Sequence, residues 1–204
     1  MPTRITPLMP DTYHHIYNRG VNRQDIFLGE DNMLFFLKRL RKYFANDMAE
    51  IVAYCLMPNH YHLLVWIKSA DFSATVMQPL GVSYTKAINK QHNRVGPLFQ
   101  GPFRAIQVGS TEHLLQLARY IHLNPIAAGL VSRPEDWLYS SYRDTIGLRN
   151  GTLANPQIIL EHFSSAKAYQ KFVEEGRDAS INPIAHLTLE EETEKPGFLK
   201  KPGF

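Results

Sequence analysis

Apolar and polar positions along the chain follow two rhythms, one of strands and one of helices. Residues 12–18, TYHHIYN, have the Tyr, His and Ile content of a strand. Residues 31–44, DNMLFFLKRLRKYF, place Met33, Leu34, Phe36, Leu37, Leu40 and Phe44 at helical spacing, with Asp31 or Asn32 near the cap. Residues 50–57 and 61–67 are two β-rich runs joined by Pro58-Asn59, which predicts a tight antiparallel pair. A helix is expected over 71–92, with an irregularity near Pro79-Leu80-Gly81. A strand interrupted by Gly101-Pro102 is expected over 98–108. Ser110 or Thr111 then caps a helix running from about Glu112 to His122 or slightly beyond.

The order is strand, helix, strand, strand, helix, strand, helix. The first six elements match a ferredoxin-like split βαβ core of the α+β class: an antiparallel sheet with helices on one face. Residues 1–150 hold this domain, and WLYSSYRD wraps onto it through Trp137, Tyr139 and Tyr142. Residues 151–180 form a helical extension, and residues 181–204 are expected to be a poorly ordered tail.

Composition narrows the class. At 204 residues, 44% hydrophobic and 20% charged, the chain can bury a core. No run of about 18 apolar residues is present, which excludes a spanning helix, and the first 15 residues lack the apolar stretch of a secretory signal. One cysteine, Cys55, excludes an internal disulfide and a cysteine-rich zinc site. A reducing cytoplasm is the simplest fit. Charge is uneven: residues 1–150 carry 16 Lys and Arg against 11 Asp and Glu, a net of +5. Residues 151–204 carry 6 against 8, a net of −2. A basic body suits a polyanionic partner.

The strongest local chemistry is Met57-Pro58-Asn59-His60-Tyr61-His62. Side chains two apart on a strand share a face, so His60 and His62 point one way and Tyr61 the other. Such a pair can share a divalent metal, or the two can be ordinary half-buried strand residues. The spacing alone leaves both open. In residues 113–125, HLLQLARYIHLNP, the side chains His113, Gln116, Tyr120 and Asn124 make one polar stripe. A phenol and a carboxamide one turn apart can serve one site, Tyr120 as nucleophile and Asn124 as oxygen ligand. Equally, Tyr120 can be an interface residue and Asn124 the end of the helix before Pro125. Tyr84 is a rival nucleophile, but one turn later stands Ile88, which cannot ligate. Basic side chains at Lys86, Lys90 and Arg94, with Arg19, Arg23 and Arg104, can follow phosphates or simply be solvated.

YHHIYNRGVNRQDIF, AYCLMPNHYHLLV, ARYIHLNPIAAGLV and WLYSSYRD, in this order, resemble the REP-associated tyrosine transposases. These are relatives of the one-tyrosine transposases among the HUH single-strand endonucleases. The resemblance covers roughly residues 10–145. It implies that His60 and His62 bind metal, that Tyr120 is the nucleophile and that Asn124 is the polar third ligand. Three departures stand out: Pro102 where the family has Arg, His122 where relatives often have Glu, and Ala127 where Arg is common. These fall at expected DNA-contact positions.

The implied function is cleavage and rejoining of hairpin or palindromic single-stranded DNA through a 5′-phosphotyrosine intermediate. The implied cofactor is Mg²⁺ or Mn²⁺, and the protein would act as a monomer or a homodimer. A phenol titrates near 10, so the metal or a base assists; His14 and His122 are the candidate bases. The competing readings are a catalytically inactive nucleic-acid-binding module of the same fold, and a metal-dependent hydrolase.

Overall fold

The computed structural model describes residues 8–176. Strands β1 (Thr12–Arg19), β2 (Ala49–Met57), β3 (His60–Ile67) and β4 (Arg104–Val108) form one sheet in the order β2-β3-β1-β4. Every pairing is antiparallel. β1 and β2 therefore run parallel with β3 between them, which is the split βαβ arrangement. Helices α1 (Glu30–Tyr43) and α2 (Gln78–Gln91) connect the strands, and α3 (Thr111–Ala127) follows β4.

Strand alternation divides the molecule into two cores. Ile16, Leu63 and Val65 face α1 and α2, where they meet Phe36, Leu40, Leu80 and Tyr84. The two helices of the split core thus share one face, as the element order predicts. Ala53, Cys55, Leu64 and Val108 face the other way, onto Leu114, Leu117, Ala118 and Ile121 of α3. After the short α4 (Tyr142–Thr145), α5 (Gln157–Leu160) and α6 (Ala166–Glu175) lie behind α3 and contribute Ile159, Tyr169 and Val173 to that second core. The sheet is buried on both sides, and its second face holds the polar residues of interest.

Gly29 occupies the N-cap of α1, and Asp31 and Asn32 lie near it in the first turn, as expected. Asn32 accepts from the Leu28 N–H at 3.1 Å and donates to Gln91 Oε1 at 3.1 Å, tying the start of α1 to the end of α2. Other local details depart from expectation. The irregularity expected at Pro79-Leu80-Gly81 lies just before it, as a π-helical stretch at Ser73–Met77. Pro79 follows as the second residue of α2, directly after that stretch. Helix α3 continues through Pro125 to Ala127, so Asn124 does not end it.

The edge of β2 is covered by the WLYSSYRD segment. Leu56 N–H donates to Tyr139 O at 3.0 Å, Ser141 N–H to Tyr54 O at 3.0 Å, and Trp137 Nε1 to Leu56 O at 2.9 Å. These bonds satisfy backbone groups that an edge strand would expose. Among the described residues no helix is long and apolar enough to cross a membrane. The expected tail at 181–204 lies outside the described residues.

Candidate active site

Two separate elements bring the site together. β3 starts at His60, directly after the Pro58-Asn59 turn, and puts His60 and His62 on the α3 face. Across the sheet, His62 sits opposite Tyr17 and Cys55, and His60 opposite Arg19 and Met57. α3 is started by Ser110, whose hydroxyl accepts from His113 N–H at 3.2 Å. Its apolar stripe packs on the sheet, and this sets Tyr120 and Asn124 over the histidines. The ring centroids of His62 and Tyr120 are 5.5 Å apart, and those of His60 and His62 are 4.8 Å apart.

The polar contacts orient each group. Asn124 Nδ2 donates to Tyr120 O at 2.9 Å, which turns its carboxamide oxygen toward the imidazoles. That carboxamide lies against both His60 and His62 without closing a good hydrogen bond to His62 Nε2. His60 Nδ1 donates to Asn59 Oδ1 at 2.6 Å. Asn59 is itself fixed, donating from Nδ2 to Arg23 O at 3.1 Å. Burial lowers the His60 pKa to about 4, with nearby Arg19 pressing the same way and Asn124 opposing. Burial, with His60 and His15 alongside, also holds His62 well below the usual imidazole range. Both imidazoles are therefore neutral at pH 7, which is the form that ligates metal. Among the described residues no group of three or more His, Cys, Asp or Glu side chains is placed to hold a metal. The third donor against the pair is the Asn124 oxygen. His62 Nε2 is buried with no hydrogen-bond partner, and a divalent cation would satisfy it. Two imidazoles and a carboxamide oxygen fit such an ion.

Of the expected residues, His60, His62, Tyr120 and Asn124 converge. Arg19 and Arg104 lie on the same face of the sheet: Arg19 opposite His60, and Arg104 opposite Tyr17. Arg19 donates to Gln100 Oε1 through Nε and Nη2, at 3.3 and 3.2 Å. Asn18 Nδ2 donates to Gly101 O at 3.0 Å, so the FQGPF loop is strapped beside the site. Arg23 is exposed in the turn after β1. Gly20 in that turn admits no side chain, because a Cβ would collide with the Gln24 carbonyl. Lys86 and Lys90 do not join the site. They are on α2, across the sheet, and Arg94 lies beyond that helix, so the three do not form one helical stripe.

Several other expectations are corrected by the packing. Tyr84 is fully buried in the first core and donates to Ile26 O at 2.8 Å, with burial pushing its phenol far up. His14 points to the α1 side of the sheet, where its Nδ1 is 3.4 Å from Thr12 Oγ1. His122 points away from Tyr120 and is wholly buried, with Nδ1 2.7 Å from Tyr169 Oη and Nε2 2.9 Å from Ser141 Oγ. Neither is placed as a base for Tyr120. Nor is His122 exposed to DNA; it joins α3 to α6 and to the segment along β2. The residues missed are His15 and Tyr17. His15 Nε2 is 2.9 Å from His62 Nδ1, and Tyr17, 4% exposed, has its ring 6.3 Å from that of His62. Period two from Arg19 back along β1 would have found both.

Burial lowers the His122 pKa to about 3. A histidine kept neutral in the fold but free to charge when unfolded costs stability as pH falls. Stability is therefore expected to hold above pH 6.5 and to fall from there toward pH 3, by about 1.4 kcal/mol per pH unit for this one proton. Urea unfolding between pH 7.5 and 5 measures it, and His122→Gln should shallow the slope by about one proton. An unchanged slope would show that His122 is charged in the fold.

A family model described as "Transposase IS200 like" matches residues 9–124. A Haemophilus influenzae protein named for the REP-associated tyrosine transposases is 28% identical over 103 residues, covering 46% of this chain and 58% of that protein. The match thus spans less than two thirds of that relative's length. The solved structure of a REP-associated tyrosine transposase bound to a REP hairpin superposes with a TM-score of 0.59. It is 18% identical, over 81% of this chain and 96% of that one, and the likeness is one of fold.

Proposed function

Because the chain belongs to the IS200-like transposase family, we propose that it cuts and rejoins single-stranded DNA beside hairpins through a 5′-phosphotyrosine link on Tyr120. The observation that supports this most is the convergence of Tyr120 and Asn124 from α3 on the neutral pair His60 and His62 from β3. Hairpin DNA as the substrate follows the relative of like fold, which was solved with a REP hairpin.

His60, His62 and Asn124 would hold a divalent ion, with Mn²⁺ tolerating imidazole better than Mg²⁺. When bound, the ion supplies charge neutralisation at the phosphate oxygens. The protein's own groups do the rest. Tyr120 gives its proton to solvent and its oxygen bonds to phosphorus, while the bond from phosphorus to the 3′ oxygen breaks and that oxygen takes a proton from solvent to leave as a 3′-OH. The ester retains the energy of the phosphodiester, so a second 3′-OH can displace Tyr120 without ATP. Arg19 and Arg104 face the phosphates next to the scissile one, and Arg23 meets the strand at the rim. Lys86, Lys90 and Arg94 contact DNA only where it extends to the far face of the sheet.

Incubation with a labelled single-stranded hairpin and Mn²⁺ should give a covalent adduct that peptide mapping assigns to Tyr120. A hydrolysed product without adduct would favour a water nucleophile, and binding without cleavage would favour the inactive module. Tyr84→Phe serves as control. It should cleave normally and lose about 1 kcal/mol of stability with its hydrogen bond to Ile26; loss of the adduct in this variant would overturn the assignment.

A further inference from the structure

We infer that His15 is a positioning residue for the metal site: it accepts a hydrogen bond from His62 and so keeps the His62 Nε2 lone pair available to the ion. This inference rests on the metal reading above. His15 and His62 are diagonal neighbours on β1 and β3, two positions apart on the same face, within reach for ring side chains. Both are fully buried, their rings are stacked with centroids 5.1 Å apart, and His15 Nε2 lies 2.9 Å from His62 Nδ1.

A hydrogen bond between two neutral imidazoles needs one N–H and one lone pair, and the two assignments differ at the far nitrogen of His62. If His15 donates, His62 carries its proton on Nε2. That atom is buried and closes no hydrogen bond, although the Asn124 carboxamide lies beside it, and a buried N–H left unpaired is costly. Its lone pair is then also lost to any cation. If His62 donates from Nδ1, its Nε2 carries a lone pair facing Tyr120 and Asn124. Histidines that bind metal are generally oriented by a hydrogen bond at the other ring nitrogen. His60 follows the same scheme with Asn59 as acceptor, at 2.6 Å. The site thus has two matched halves: the turn residue Asn59 orients His60, and a residue from another strand orients His62.

The tautomer can be read without metal. Long-range ¹H–¹⁵N spectra of the metal-free protein should show His62 protonated at Nδ1 and bare at Nε2. In His15→Phe, which removes the acceptor and keeps a ring, that tautomer should be lost, and Mn²⁺ affinity measured by EPR should fall about 10- to 100-fold. His15→Gln places an amide oxygen near the position of the imidazole Nε2 and should restore most of the affinity. Thermal unfolding confirms that the variants compared are folded; if His15→Phe does not fold, His15→Leu takes its place. A proton on His62 Nε2 in the native protein overturns the inference, as does unchanged Mn²⁺ affinity in a folded variant without the acceptor. No Mn²⁺ binding by the native protein, with His62 still protonated at Nδ1, would instead overturn the metal reading itself.

Discussion

Tyr120→Phe should reduce hairpin cleavage to background, a loss of about 10⁴-fold or more on the scale of removed nucleophiles. The substitution removes one hydroxyl and keeps the ring, which is partly exposed at the edge of the second core. Stability should change by less than about 1 kcal/mol, and affinity for the hairpin should stay within about twofold, since phosphate grip comes mainly from basic side chains. The effect should lie in the chemical step alone. The geometry adds a specific rival: Tyr17 stands beside His62 on the same face, although its ring is farther away, at 6.3 Å against 5.5 Å for Tyr120. Adduct mapping separates the two. A covalent link retained in Tyr120→Phe and mapped to Tyr17 would reassign the nucleophile and leave the site in place.

His62→Ala should be nearly as damaging to activity, by a different route. It removes the most enclosed of the three donors, and loss of charge neutralisation worth several kcal/mol lowers the rate by about 10³-fold. Mn²⁺ affinity should fall with it, whereas hairpin binding should persist. His60→Ala should fall in the same direction by less, because His60 is partly exposed at the mouth of the site and water can take its place. Asn124→Ala should be milder again, raising the metal concentration required. Full cleavage in EDTA by a variant lacking both histidines would refute the metal assignment. The buried His62 side chain also leaves a void, so its Ala variant should be compared at equal folded fraction.

The paired histidines and the Tyr120–Asn124 turn were legible because their spacing is local. Two residues on a strand and two on a helix have their shared faces fixed by periods of 2 and 3.6. The element order similarly gave the split βαβ core, since short connections leave few ways to pair four strands. The bases were misassigned for the complementary reason. His14 and His15 are adjacent on β1 and point to opposite faces. Period two groups His15 with Tyr17 and Arg19, but that this set and not His14 meets the site depends on the register of β1 against β3. His122 lies between Tyr120 and Asn124 in the chain, yet it is turned away from both on the helix, into hydrogen bonds with Ser141 and Tyr169.

The sequence by itself determined the elements and the core type, because each depends on periodicity within one segment; periodicity also set which faces His60, His62, Tyr120 and Asn124 share, while the roles expected of them came from the family resemblance. Tertiary structure alone decided what surrounds them. It set α3 against the second face of the sheet, placed Lys86 and Lys90 across the sheet from the histidines, and brought His15 to 2.9 Å from His62. It also enclosed the two imidazoles enough to keep them neutral. Those are contacts between residues far apart in the chain. Their partners are chosen by strand register and helix packing, where burial of the whole apolar face outweighs any local preference.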